Sequence, residues 1–165
     1  MSYDIDFEEK ALIKFHIRKF LLYPQHWNDT SNQYIHNLSW KKIKFEDSKI
    51  SKLPNEKGIY CFIVRPKYPN FFETNYLFYI GQTARPLKKR FREYLNDQKG
   101  QGKPRPKIFE MLKLYDGYLY FYFATINQNT IINEVETKLL NTFVPHINTE
   151  IPKARIKPEL RNIYE

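Results

Sequence analysis

Two tyrosines stand beside Ile and Gly in short apolar runs, Gly58-Ile59-Tyr60 within EKGIYCFIV and Tyr79-Ile80-Gly81 within NYLFYIGQTARPLKKRF, and dense positive charge follows the second. A phenol ionises near pH ~10, so at neutral pH it is a poor base unless a cation or a metal-bound water assists it. Residues 85 to 107 carry nine Lys or Arg against Glu93 and Asp97, a net +7, whereas residues 108 to 152 sum to −3. Most of the chain's net charge of +9 is therefore concentrated in one segment. Charge polarised in this way suits a face laid along phosphates; a solvated helix surface is the plain alternative. No Cys and His cluster has the spacing of a zinc site, so His16, His26, His36 and His146 are expected at the surface or in packing. Cys61 is the only cysteine. It excludes an internal disulfide and, inside an apolar run, reads as a small buried thiol.

The elements that must position these residues follow from hydrophobic pattern. The 165 residues, 42% of them hydrophobic, supply a core for one domain and hardly for two. Gly58 to Val64 is apolar on both alternating sets, which predicts a strand covered on both faces. Residues 76 to 81 form a second buried strand able to pair antiparallel with it across the connection 65 to 75. Pro86 suits a first helical turn, and Leu87, Phe91, Tyr94 and Leu95 make the inner stripe of a helix to about Asn96. QKGQGKPRP, 98 to 106, reads as a mobile basic loop, followed by a helix over 107 to 115 and a third strand, YLYFYFATI, over 118 to 126. Thr130 is placed to cap a last helix whose apolar face is Ile131, Ile132, Val135, Leu139 and Phe143, ending before Pro145.

Upstream, residues 7 to 23 carry an imperfect helical stripe, 24 to 33 a loop, WKKIKF (40 to 45) a short strand and LPNEKG (53 to 58) a turn. The order predicts an α/β (α+β) architecture with a small three-stranded, mainly antiparallel sheet flanked by helices. The expected division is an N-terminal helical extension, 1–53, a core, 54–149, and a basic tail, 150–165. No run approaches the ~18 apolar residues of a membrane helix, and the acidic start MSYDIDFEEK does not resemble a secretion signal, so a cytoplasmic location is expected.

Taken jointly, Gly58-Ile59-Tyr60, Tyr79-Ile80-Gly81 about twenty residues on, Leu87-Lys88-Lys89-Arg90-Phe91, and Glu136 ahead of Pro145 and Asn148 resemble the GIY-YIG nuclease family over roughly residues 54 to 149. The resemblance implies hydrolysis of a DNA phosphodiester with one divalent metal, by Tyr60, Tyr79, Arg90 and Glu136. It also implies that Tyr60 is the general base, that Tyr79 orients water or phosphate, and that Glu136 is the metal ligand. Tyr94 stands where other members place His or Tyr, and Asn148 matches an Asn that fixes the loop near the metal. Phosphodiester hydrolysis requires an activated water in line with the leaving oxygen and charge stabilisation at the phosphate. Mg2+ or Mn2+ suits this role, because a hard cation that keeps several waters needs as little as one protein carboxylate.

Helix geometry agrees with two of these assignments. At ~100° per residue the last helix's stripe centres between Val135 and Leu139, leaving Glu136 at its edge and Glu134 toward solvent. Arg90 and Tyr94 are i, i+4 neighbours flanking the inner stripe of their helix, and Lys88, Lys89 and Arg92 point more outward. Arg90 is then the phosphate clamp, and Gln82, Arg85, Lys88, Lys89, Arg92, Lys103, Arg105 and Lys107 are the expected DNA contacts. Excision-repair members carry a Lys directly after the YIG-type triplet where this chain has Gln82, so Arg90, the metal or Lys88 would assist the base here. With few residues after Asn148, a compact standalone DNA nuclease is expected: a restriction-type enzyme, or one directed to structured or single-stranded DNA. A restriction-type enzyme would cut as a homodimer, because two strands need two sites. Residues 1–53 and the tail segment 152–161 would then supply dimer and base contacts. A catalytically silent nucleic-acid-binding module is the remaining alternative.

Overall fold

Alternation along Gly58–Val64 sends Tyr60, Phe62 and Val64 to one side of the backbone and Ile59, Cys61 and Ile63 to the other, and a strand of this composition needs a layer on each side. A computed structural model describes residues 13–28, 37–68 and 70–149, apart from the side chain of His26. Its sheet has four strands, β1 (Lys41–Lys44), β2 (Gly58–Val64), β3 (Tyr76–Thr83) and β4 (Leu119–Thr125), in the spatial order β1-β4-β2-β3. Every neighbouring pair is antiparallel. Three helices, α1 (Leu87–Gln98), α2 (Pro106–Leu114) and α3 (Asn129–Phe143), cover it, giving an α+β fold.

The expected three-stranded sheet is thus corrected to four. WKKIKF supplies the extra strand, pairing Lys41 with Phe123 and Lys44 with Tyr120. Three lysines in four residues conceal this pairing in the sequence, yet they are what an edge strand carries to discourage pairing with other chains. A boundary at residue 53 would therefore cut through the sheet.

The layers divide cleanly by side-chain parity. Tyr60, Phe62, Tyr79 and Phe121 face α1 and α2, packing with Leu87, Phe91, Tyr94, Leu95, Ile108, Met111 and Leu112. Ile59, Cys61, Ile80 and Ala124 face α3 and pack with Ile132, Val135, Leu139 and Leu140. The β2–β3 register shifts between Phe62, opposite Tyr79, and Ile63, opposite Leu77. Phe78 is the inserted residue, and the bulge lets Phe78 and Tyr79 both join the α1/α2 layer.

Three further expectations change. Residues 13–16 are helical but 17–23 are not. There Phe20 packs against the rings of Tyr76 and Phe78, each at 5.5 Å, and His146 at 5.0 Å. Arg18 meanwhile pairs with Glu110 at 2.7 Å. These tertiary contacts outweigh a weak helical stripe, whose first part, 7–12, lies outside the described residues. Residues 24–33 read as a loop, but Pro24–Trp27 form a helical turn; 29–33 lie outside the described residues, as does the tail from 150. Finally, α3 begins at Asn129 with Gln128 in the cap position and no side-chain cap bond, so Thr130 sits inside the helix. No helix among the described residues is long and apolar enough to cross a membrane.

Candidate active site

The two motif strands lie side by side, with Tyr60 opposite Gly81. A side chain on Gly81 would place its first carbon 2.6 Å from the Tyr60 phenol, so glycine at 81 is what lets that ring lie across β3. Gly58 is required in the same way, since a side chain there would run into the backbone carbonyl of Ala124. Tyr60 stacks on Phe121 with ring centroids 5.0 Å apart and lies 6.4 Å from Tyr79. On α1, the i, i+4 spacing of Arg90 and Tyr94 brings both onto Tyr60. The Tyr60 and Tyr94 hydroxyls share a hydrogen bond of 2.8 Å. Arg90 donates from Nε to Tyr60 Oη at 3.1 Å and from Nη2 to Tyr94 Oη at 3.0 Å. Tyr79 receives a bond of its own, 2.7 Å from Nη2 of Arg105 at the start of α2.

Enclosure fixes the electrostatics. Tyr60 is 1% exposed. Burial, with repulsion from Tyr79, outweighs the help of Arg90 and pushes its phenol up to about 12. Burial likewise raises Tyr94 well above the ordinary tyrosine value. Burial thus favours the neutral phenol at both positions, and Tyr60 is a fixed polar partner for Arg90. One phenolic proton fills the bond between the two tyrosines, and the second remains for donation to a further acceptor.

Glu136 stands apart from this group. It lies on α3, across the sheet, where burial raises its carboxyl above the ordinary value against the effect of a hydrogen bond from Gln82. The Gln82 amide also donates to Asn133 Oδ1 at 2.9 Å. No hydrogen bond or ion pair joins Glu136 to Tyr60, Tyr79 or Arg90. What relates them is the strand between: Gly81, under the Tyr60 hydroxyl, and Gln82, against Glu136, are consecutive residues of the outermost strand. Asn148 clasps that strand's free edge, accepting from the Ile80 amide at 2.9 Å and donating to the Ile80 carbonyl at 2.7 Å. No hydrogen bond joins it to Glu136, Tyr60 or Tyr79.

The donor set at this edge fits one class of ion. Among the described residues no group of three His, Cys, Asp or Glu converges. Glu136 has no counter-cation there either, and a single such carboxylate beside an amide suits Mg2+ or Mn2+. Lys89, Arg92, Lys103, Arg105 and Lys107 are exposed and Lys88 is half-buried. Two contacts are absent from the sequence reading. Glu93 bridges Arg85 and Arg90, a link signalled for Arg90 by i, i+3 spacing, and Arg105 reaches Tyr79, which no local pattern signals. The chain matches no known family model, no curated protein and no solved structure.

Proposed function

We propose that the chain is a metal-dependent DNA endonuclease using GIY-YIG-type chemistry. The observation that carries this reading is the pairing of Tyr60 with Gly81 across two adjacent strands, together with Arg90 held on the hydroxyls of Tyr60 and Tyr94. Two motifs about twenty residues apart meet there, since the Tyr60 ring needs the space left by Gly81. In this reading Arg90 neutralises a phosphate oxygen from an orientation set by the Tyr60 and Tyr94 hydroxyls, which limits reorganisation during reaction. Arg105 holds Tyr79 and adds a second cation to the same face. Glu136 holds the divalent ion, which would supply an activated water and charge neutralisation at the leaving oxygen. The exposed lysines and arginines of 85 to 107 follow the neighbouring backbone.

The test is incubation with supercoiled plasmid, single-stranded DNA and RNA in Mg2+ or Mn2+. Glu136→Ala is expected to abolish cleavage and Arg90→Ala to lower it by about 10²- to 10³-fold, while both retain DNA binding. Undiminished cutting by both variants overturns the assignment. A second reading, a binding module without turnover, is favoured by the placement of Glu136 and the tyrosines on opposite faces of β3. Duplex retention with no cleavage in either ion would identify it. Restriction-type cutting further expects a homodimer on duplex DNA, which sedimentation measures directly.

A further inference from the structure

Arg90 is the cation assigned to the phosphate, yet one of its outer nitrogens is already engaged by an anion. Its Nη1 lies 2.9 Å from Oε2 of Glu93. The same carboxylate receives a two-pronged contact from Arg85, whose Nη1 and Nη2 lie 2.7 and 2.9 Å from Oε1 and Oε2. Arg85 precedes α1 and Glu93 lies within it, so this carboxylate collects one guanidinium from each side. The Glu93 and Arg90 side chains are only 30% and 25% exposed, which shields their contact more than that of an open surface pair.

A carboxylate gripped by guanidinium forks presents two oxygens much as a phosphodiester presents its two non-bridging oxygens. Position matters as much as shape. Arg90 also carries the hydrogen bonds to Tyr60 and Tyr94, so the anion held by Glu93's contacts lies directly beside the buried tyrosines. By contrast Lys88, Lys89, Arg92, Lys103 and Lys107 form no ion pair among the described residues. The acid is therefore spent on the two arginines next to the site rather than on general charge balance.

We propose that Glu93 is a built-in place-holder for a backbone phosphate: in the free protein it neutralises Arg85 and Arg90 and keeps them oriented, and on binding a DNA phosphate displaces it from both. This rests on the reading of the chain as a DNA enzyme and adds to it a second phosphate subsite at Arg85. The arginines are held ready without being left as open, unpaired charge, and a weakly binding monovalent anion does not displace a carboxylate fixed at three points.

The test is the affinity for a short labelled duplex, read by fluorescence anisotropy in EDTA so that no strand is cut. Glu93→Gln and Glu93→Ala are compared with the wild type and with Glu46→Gln. Glu46 is a matched control, because it too sits between two cations, Lys44 and Lys49, each at 3.3 Å, and its loss changes net charge equally. Both Glu93 variants are expected to bind about fivefold tighter than Glu46→Gln, the scale of one partly shielded ion pair. Adding Arg85→Ala to Glu93→Gln is expected to remove most of that gain. If the Glu93 variants bind no tighter than Glu46→Gln while the wild type binds and cuts DNA, the place-holder is overturned and the nuclease reading stands. If the wild type neither binds nor cuts, both fall. Glu93 lies partly exposed on a helix where alanine is favourable, so the Ala variant keeps the comparison open should Gln perturb folding.

Discussion

At the residue scale the candidate site centres on a buried phenol. Tyr60 is enclosed by Phe62, Tyr79, Tyr94 and Phe121, and its hydroxyl meets Arg90 and Tyr94. Replacing it with Phe preserves the stacking but leaves the Arg90 Nε–H and the Tyr94 hydroxyl each short of a partner. A loss of about 1–3 kcal/mol in urea unfolding is expected. The pH dependence has a definite sign. The folded phenol, pushed up to about 12, lies above the ordinary value of 10, so its contribution to stability is complete below pH 10 and is lost between 10 and 12. Melting temperature should fall through that window, and Tyr60→Phe should remove part of the fall. Tyr60 and Tyr79 are legible as a pair in the sequence because their motifs are contiguous. The bridge from Glu93 to Arg85 and the bond from Arg105 to Tyr79 are not, since both depend on how α1 and α2 lie against the sheet.

At the element scale β3 is an edge strand whose outer side is closed by the segment after α3. Ile147 donates to the Phe78 carbonyl at 3.2 Å, and Asn148 satisfies both backbone groups of Ile80. The turn that delivers them passes through Val144, buried and left-handed at φ 45°, immediately before Pro145, which disfavours a right-handed helical residue ahead of it. Asn148→Ala should expose an open edge at Ile80, lowering stability by about 1–3 kcal/mol in denaturant titration and raising aggregation on concentration. Asn148→Asp, which keeps only the acceptor, should be nearly as costly. β2, β3 and β4 are readable from their apolar content on both faces; β1 is readable as a short strand, but its lysines conceal that it joins the sheet, and 17–23 imitates a helix although Arg18 and Phe20 are held by separate tertiary contacts. The side of the sheet on which α3 packs cannot be read from Glu136, because periodicity fixes a helix's inner face but not which layer it joins.

For the whole molecule, two apolar layers of unequal character meet at one sheet: an aromatic one under α1 and α2, and an aliphatic one under α3. His146 belongs with the aromatic side, its ring 5.0 Å from Phe20 and 4.7 Å from Phe78. Burial first, then Arg18 and Lys107, lower its pKa to about 4 from an ordinary 6.5. The unfolded chain takes up this proton more readily, so stability is complete above pH 6.5 and erodes as pH falls toward 4. Melting scans should show that decline between pH 6.5 and 4, and His146→Phe should flatten it. The larger consequence belongs to the rim formed by Gly81 and Gln82. With the guanidinium group on one side of a single strand and the carboxylate on the other, a bound backbone would have to straddle the sheet's lip, as a rope lies over a rail. Grip and hydrolysis would then be separable faculties, lost independently by changes on either side of that lip.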